Sequence, residues 1–175
     1  AVFVESETTF HRINVLVENN QSTTEMDAAL SDLRGIFDKY LEMPSLLDKH
    51  VEAIVSKLAT AARELMNDID LTTSEQFWSS SLPRQLSAIY AISKVRGRKR
   101  VQKFLPHGVE HVQTILHALR DLHRISRVGK DSMMESTDLA SPKLWESIYV
   151  LWNWMAILSL VPFRLTVVID KNHID

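Results

Sequence analysis

IYAISKVRGRKRVQKFLPH, residues 89–107, contains a complete helix corner. An apolar run reaches Lys94-Val95-Arg96-Gly97, and glycine is the residue that most readily takes the left-handed conformation that stops a helix. A basic turn follows, then a short amphipathic segment from Arg98 to Leu105, closed by Pro106. Upstream, Ser80 or Ser81 can cap the apolar run, and Pro83 suits its first turn. Leu86, Ile89, Tyr90 and Ser93 then fall on one buried face. The stretch therefore predicts helix, corner, short helix.

The same period extends in both directions. Thr24 offers a cap with Asp27 three residues on, and Met26, Leu30, Leu33, Phe37 and Tyr40 mark a first helix ending near Glu42. Pro44 breaks it and Ser45 can cap the next, whose stripe is Leu47, Val51, Ile54, Leu58, Ala61 and Leu65. So short a connection predicts that these two helices pack antiparallel. Asn67 to Ser81 reads as a loop anchored by Phe77-Trp78. Beyond the corner, Val109, Val112, Ile115 or Leu116, Leu119 and Leu122 give another strong stripe, followed by a long polar segment, His123 to Ala140. A last helix is expected from the cap and proline at Ser141-Pro142 to Pro162.

Residues 1–25, rich in Glu, Asn, Ser and Thr, read as a loosely held leader whose apolar cluster (Ile13, Val15, Leu16, Val17) fits a helical turn or a strand. Thr166 to Ile169 is the one candidate strand. The expected fold is all-α, a HEAT/armadillo-like stack of antiparallel helix pairs over residues 26–165, an α-solenoid section with a tail at 166–175. His50 to Leu58 resembles His111 to Leu119 at an offset of 61 residues, more than the roughly 40 to 47 of such a repeat. The echo is either a repeat with an insertion or a chance likeness of two amphipathic helices.

Composition excludes more than it selects. The chain has 175 residues, 45% hydrophobic and 24% charged, with a formal net charge of −2, so no global field favours nucleic acid or anionic lipid. It contains no cysteine, which removes disulfides and thiolate metal sites and fits a reducing, cytosolic setting. The chain opens at Ala1 without a secretory pattern and reads as a piece of a longer protein. Ser147 to Phe163 is uncharged, but Asn153, Ser159 and nearby Trp145, Tyr149, Trp152 and Trp154 suit a core helix, apolar all round, better than a membrane span.

The sharpest catalytic pattern is His107-Gly108-Val109-Glu110-His111, the H-x-x-E-H of inverted zinc proteases. Pro106 and Gly108 put His107 at a helix start, where two imidazoles do not share one regular turn, and no downstream glutamate pair marks a third ligand. His107 then reads as a capping residue and His111 as a surface histidine. Four glycines (Gly35, Gly97, Gly108, Gly129) are too sparse for a phosphate loop or a nucleophile elbow. No active site, cofactor or metal is expected. Lys94, Arg96, Arg98, Lys99 and Arg100 make five cations in seven residues, followed by Lys103. Such a run is a solvated turn at a helix C-terminus, where cations complement the carbonyl end, or a partner-binding patch for acidic protein or nucleic acid. No aromatic is interleaved with it, which argues against single-strand binding.

Three blocks together resemble the tubulin-folding cofactor D family (tubulin-specific chaperone D), in the N-terminal part of its helical-repeat body. The first is Phe37-Asp38-Lys39-Tyr40 through Pro44, with Leu46-Leu47-Asp48 and His50. The second is Lys94-Val95-Arg96-Gly97 with Phe104-Leu105-Pro106-His107. The third is Trp145-Glu146, Tyr149, Trp152 and Val161-Pro162-Phe163. They span roughly residues 30–165 in the family's order. The resemblance implies a chaperone that binds β-tubulin, works with tubulin cofactors C and E and an Arf-like small GTPase in assembling and disassembling the αβ heterodimer, and contributes to GTPase activation. It also implies a cytoplasmic, cytoskeleton-associated setting and no active site of the chain's own. Arg164 follows Pro-Phe where the family tends to be acidic, and Arg98 and Arg100 make the turn more cationic than usual. An unrelated α-solenoid adaptor and a basic-patch nucleic-acid binder are the rival readings.

Overall fold

The computed structural model describes residues 2–18, 21–128, 138 and 141–162, and among them the chain is all-helical. The helices are α1 (Ser6–Val17), α2 (Thr23–Asp38), α3 (Asp48–Asp68), α4 (Ser74–Ser79), α5 (Leu82–Arg96), α6 (Arg98–Gln102), α7 (Val112–Val128) and α8 (Leu144–Leu158). Single 3₁₀ turns at Pro44–Leu47 and Val109–His111 lead into α3 and α7. The expected class, a HEAT/armadillo-like helical stack, is the observed one. Thr166 to Ile169, the tail at 166–175 and most of the segment between α7 and α8 lie outside the described residues.

Helix α5 is the axis of the stack. It packs against α2, α3 and α8, with lesser contacts to α1, α4 and α6. Apart from Tyr90, Lys94 and Arg96, every one of its residues is buried. Ala88, Ala91, Ser87 and Ser93 keep the helix slim enough for neighbours to approach on all sides, and Arg84, Ser93 and the Gln85 amide group donate to partners inside, while the Ser87 hydroxyl and Gln85 Oε1 are buried without one. Gln85 donates to the Leu16 carbonyl at 2.8 Å, and Ser93 donates to the Ile89 carbonyl at 2.7 Å. Arg84 donates to Asp27 at 2.8 Å and to the carbonyls of Trp78 and Ser80. These bonds satisfy groups whose burial would otherwise cost about 1–3 kcal/mol each.

The arrangement corrects four expectations. The leader is built into the fold: α1 packs on α2 and α3, and Ile13 and Leu16 are fully buried. Its cluster becomes helix because Thr9, Ile13 and Leu16 share one helical face. Helix α2 is capped by Ser22, ahead of Thr24: the Ser22 hydroxyl accepts from the Glu25 amide and the Glu25 carboxylate accepts from the Ser22 amide, a reciprocal capping box. Helices α2 and α3 are not packed chiefly on each other; both lie against α1 and α5. Finally, α8 is not buried on all sides. Val150, Leu151, Trp154 and Leu158 face the core, while Trp145, Tyr149 and Trp152 are 53%, 37% and 54% exposed.

Smaller boundaries shift as well. Asn67 to Ser81 contains α4, which inserts Phe77 with no exposure at all. Helix α7 continues through His123 to Val128, and of the two candidates in its stripe Ile115 is buried and Leu116 exposed. Helix α8 begins at Leu144, two residues past Pro142, with the Glu146 carboxylate accepting from the Lys143 amide at 3.2 Å. No helix among the described residues is long and apolar enough to cross a membrane.

Candidate functional site

The corner at residues 94–107 is set by backbone first. Gly97 takes φ +90°, closing α5 with its amide on the Ser93 carbonyl at 2.9 Å. Val101 and Leu105 are buried beneath the turn. The Pro106 carbonyl accepts from the Trp154 indole of α8 at 2.5 Å, and His107 Nδ1 lies 2.9 Å from the Leu105 carbonyl. Pro106 thus fastens the corner to α8, and the His107–Leu105 contact closes the turn locally.

The five cations of the candidate patch divide into two groups. Arg96, with a side chain 13% exposed, meets both oxygens of Asp48, one of them at 2.6 Å from Nη2. Arg100 reaches the same carboxylate at 3.2 Å, and Lys94 reaches Asp38 at 3.1 Å. The hydrogen bonds from Arg96, followed by the charges of Arg96, Arg100 and Lys103, hold the Asp48 carboxyl below its usual range. Arg98 and Lys99 are exposed and make no ion pair among the described residues. Arg98 shares a narrow crevice with Val150 and Asn153 of α8. Lys103 lies over the ring of Phe104, 4.8 Å from its centroid. Lys94, Arg96 and Arg100 therefore act in fastening the corner to α2 and α3, and Arg98 and Lys99 are left to face solvent.

The H-x-x-E-H residues are not brought together as a ligand set, and no group of three His, Asp or Glu able to hold a metal gathers among the described residues. His107 is engaged by the Leu105 carbonyl. His111, expected at the surface, is largely buried: the 3₁₀ turn before α7 points it toward α3, where Nε2 lies 3.5 Å from Arg63 Nη1 and 3.4 Å from Glu110 Oε1. Burial pushes its pKa down; Glu110 opposes this, and Arg63 and His107 add to it.

Two features escaped the sequence reading. The first is Arg34, whose guanidinium clasps Glu146 at 2.9 and 2.8 Å and donates to the Ser141 carbonyl at 3.2 Å. The second is the outer face of α8. Trp145 and Tyr149 both meet Tyr90 edge-on, at centroid distances of 5.0 and 5.5 Å, and Trp152 lies edge-on to His123 at 6.2 Å. The aromatic groups missing beside the cations in the sequence thus stand on the neighbouring helix. Spacing of i, i+4 and i+7 was visible in the chain, but an equally apolar inner face masked its direction.

An all-helical stack turned around a buried central helix, with glycine- and proline-defined corners, is an armadillo-type repeat segment. A profile of the family described as "Tubulin-specific chaperone D-like, ARM repeat" matches residues 37–174. The chain belongs to that family. No solved structure matches it. Within the fold, the family-like blocks meet one another: Asp48 of the first holds Arg96 of the second, and Pro106 of the second is bonded to Trp154, amid the third.

Proposed function

We propose that the chain is a section of a tubulin-specific chaperone scaffold. It binds β-tubulin and an Arf-like small GTPase and acts with tubulin cofactors C and E in assembling and disassembling the αβ heterodimer. It contributes to GTPase activation by holding its partners, with no active site of its own, and works in the cytoplasm in association with the cytoskeleton. The observation that carries this reading is the family match over residues 37–174. Physically, a helical stack recognises protein by shape-matched burial over an extended surface, and the energy comes from desolvated anchors, with no covalent step.

The test is capture from cytosol on the immobilised chain. Retention of β-tubulin or a small GTPase supports the chaperone. Retention of nucleic acid alone, released by raising the salt, supports the basic-patch reading that Arg98 and Lys99 beside the α8 aromatics would otherwise favour. Retention of neither, with other cytosolic proteins bound, supports an unrelated adaptor.

A further inference from the structure

The near-neutral total charge conceals a sharp division. Residues 1–80 carry 14 acidic and six basic side chains, whereas residues 81–128 carry ten basic and two acidic. The fold places the basic segment around the exposed face of α8, which packs on α5, α6 and α7. Helices α6, α7 and α8 expose no carboxylate: their two acids, Asp121 and Glu146, are buried, the first paired with Arg120 and Arg124 and the second with Arg34. Glu110 and Asp138 are the exposed acids on the described connections between them.

Trp145, Tyr149 and Trp152 therefore form an uncharged aromatic ridge with cations to either side. On one flank stand Tyr90 and Arg98, the latter lining a narrow crevice with Val150 and Asn153 of α8. On the other is His123, beyond which α7 exposes Arg120, Arg124 and Arg127. We propose that this surface docks an acidic amphipathic helix of a partner protein, whose apolar side chains cover the three rings and whose carboxylates meet Arg98 and Lys99 on one side and the α7 arginines on the other. Exposed Trp and Tyr with Arg at the margin is the composition of binding hot spots. The charges flanking them select for negative partners and speed encounter.

A nucleic acid fits the arrangement less well. Trp145 and Tyr149 are already engaged by Tyr90, at interplanar angles of 78° and 90°, which leaves less of each ring open to a stacked base. The inference concerns the surface alone and stands whether or not the partner is tubulin.

The test uses the 175-residue chain and a synthetic helical peptide of about 20 residues, with Leu at helical spacing and Glu elsewhere. Its counterpart has every Glu replaced by Gln, and a single-stranded thymidine oligonucleotide serves as the third probe. Each probe carries a fluorescein label whose anisotropy reports binding to the native chain and to the variants, and tryptophan emission of the native chain is a second signal. The acidic peptide is expected to bind saturably with a blue shift and about tenfold more tightly than the Gln peptide. Trp145→Ala with Trp152→Ala is expected to weaken it by about 30-fold, and Arg98→Glu with Lys99→Glu by about tenfold. Both pairs lie on the surface, so helicity by circular dichroism should be unchanged. Equal affinity for the two peptides, no loss in either variant, or tighter binding of the oligonucleotide overturns the proposal. So does a free chain whose Trp145 and Trp152 emission resists acrylamide, which means the chain's own residues cover the ridge, or a free chain that sediments as a dimer through this face.

Discussion

Replacing Arg34 by Ala should cost several times the stability that an exposed ion pair contributes. The Arg34 side chain is only 18% exposed and the Glu146 side chain 5%, and the pair joins α2 to the start of α8 across 112 residues of sequence. Arg34 supplies two charge-assisted hydrogen bonds to Glu146, at 2.9 and 2.8 Å, and one to the Ser141 carbonyl. Its loss leaves the Glu146 carboxylate buried with the Lys143 amide as its remaining backbone donor. Breaking a buried pair from one side costs about 3–5 kcal/mol, because the stranded charge keeps its desolvation penalty. Urea unfolding followed by circular dichroism measures it, and an unchanged slope would show that the loss lies in stability and not in compactness. The cycle is completed by Arg34→Met with Glu146→Leu, which removes both charges and should recover most of the loss, since well-packed apolar pairs often replace buried ion pairs without penalty. A loss below about 1 kcal/mol in Arg34→Ala, the range of an exposed pair, would refute the reasoning. So would a double variant no more stable than the single one.

Other expected outcomes are smaller. Gly97→Ala puts a Cβ on a residue at φ +90°, with nothing within 4 Å to clash, so the cost is conformational, about 1–2 kcal/mol in the same urea assay. Asp48 titrates below its usual range when folded, so its contribution is complete at neutral pH and fades as the pH drops below about 4; Arg96→Met should flatten that acid limb of a stability-against-pH curve. His111 is also lowered in the folded state. The unfolded chain therefore takes up its proton first, and stability should fall as the pH drops from 7 through 6, with a slope no steeper than about 1.4 kcal/mol per pH unit for one proton. His111→Gln should remove that slope, and an unchanged slope would assign it to another group.

Much of the fold was legible because its punctuation is local. Gly97, Pro44 and Pro106 act through φ and the missing amide proton, effects that depend on no distant residue. The stripes of α2, α3 and α7 were equally plain, since charged residues occupy the opposite face of each. Helices α5 and α8 were harder for opposite reasons. Helix α5 carries Arg84, Gln85, Ser87 and Ser93, which resemble a solvent face, yet it is buried: Asp27 and the Leu16, Trp78 and Ser80 carbonyls take up Arg84 and Gln85 from other elements, and Ser93 turns back on the Ile89 carbonyl of its own helix. Helix α8 carries Trp145, Tyr149 and Trp152, which resemble core, yet they face outward. Nothing local distinguishes an inward from an outward aromatic when both faces are apolar. The corner cations had the same ambiguity: only the fold shows that Asp48 engages Arg96 and Arg100 while Arg98 and Lys99 face solvent. Arg34 gave no signal at all, because its partner lies on another helix. The division of charge between residues 1–80 and 81–128 was readable in the chain, but the net charge averages it away.

The most direct test of the chaperone reading is sedimentation velocity of the fluorescently labelled chain titrated with purified αβ-tubulin. The reading predicts a saturable, faster-sedimenting species that contains both the chain and β-tubulin. A chain that sediments at its own unchanged rate throughout the titration would contradict it.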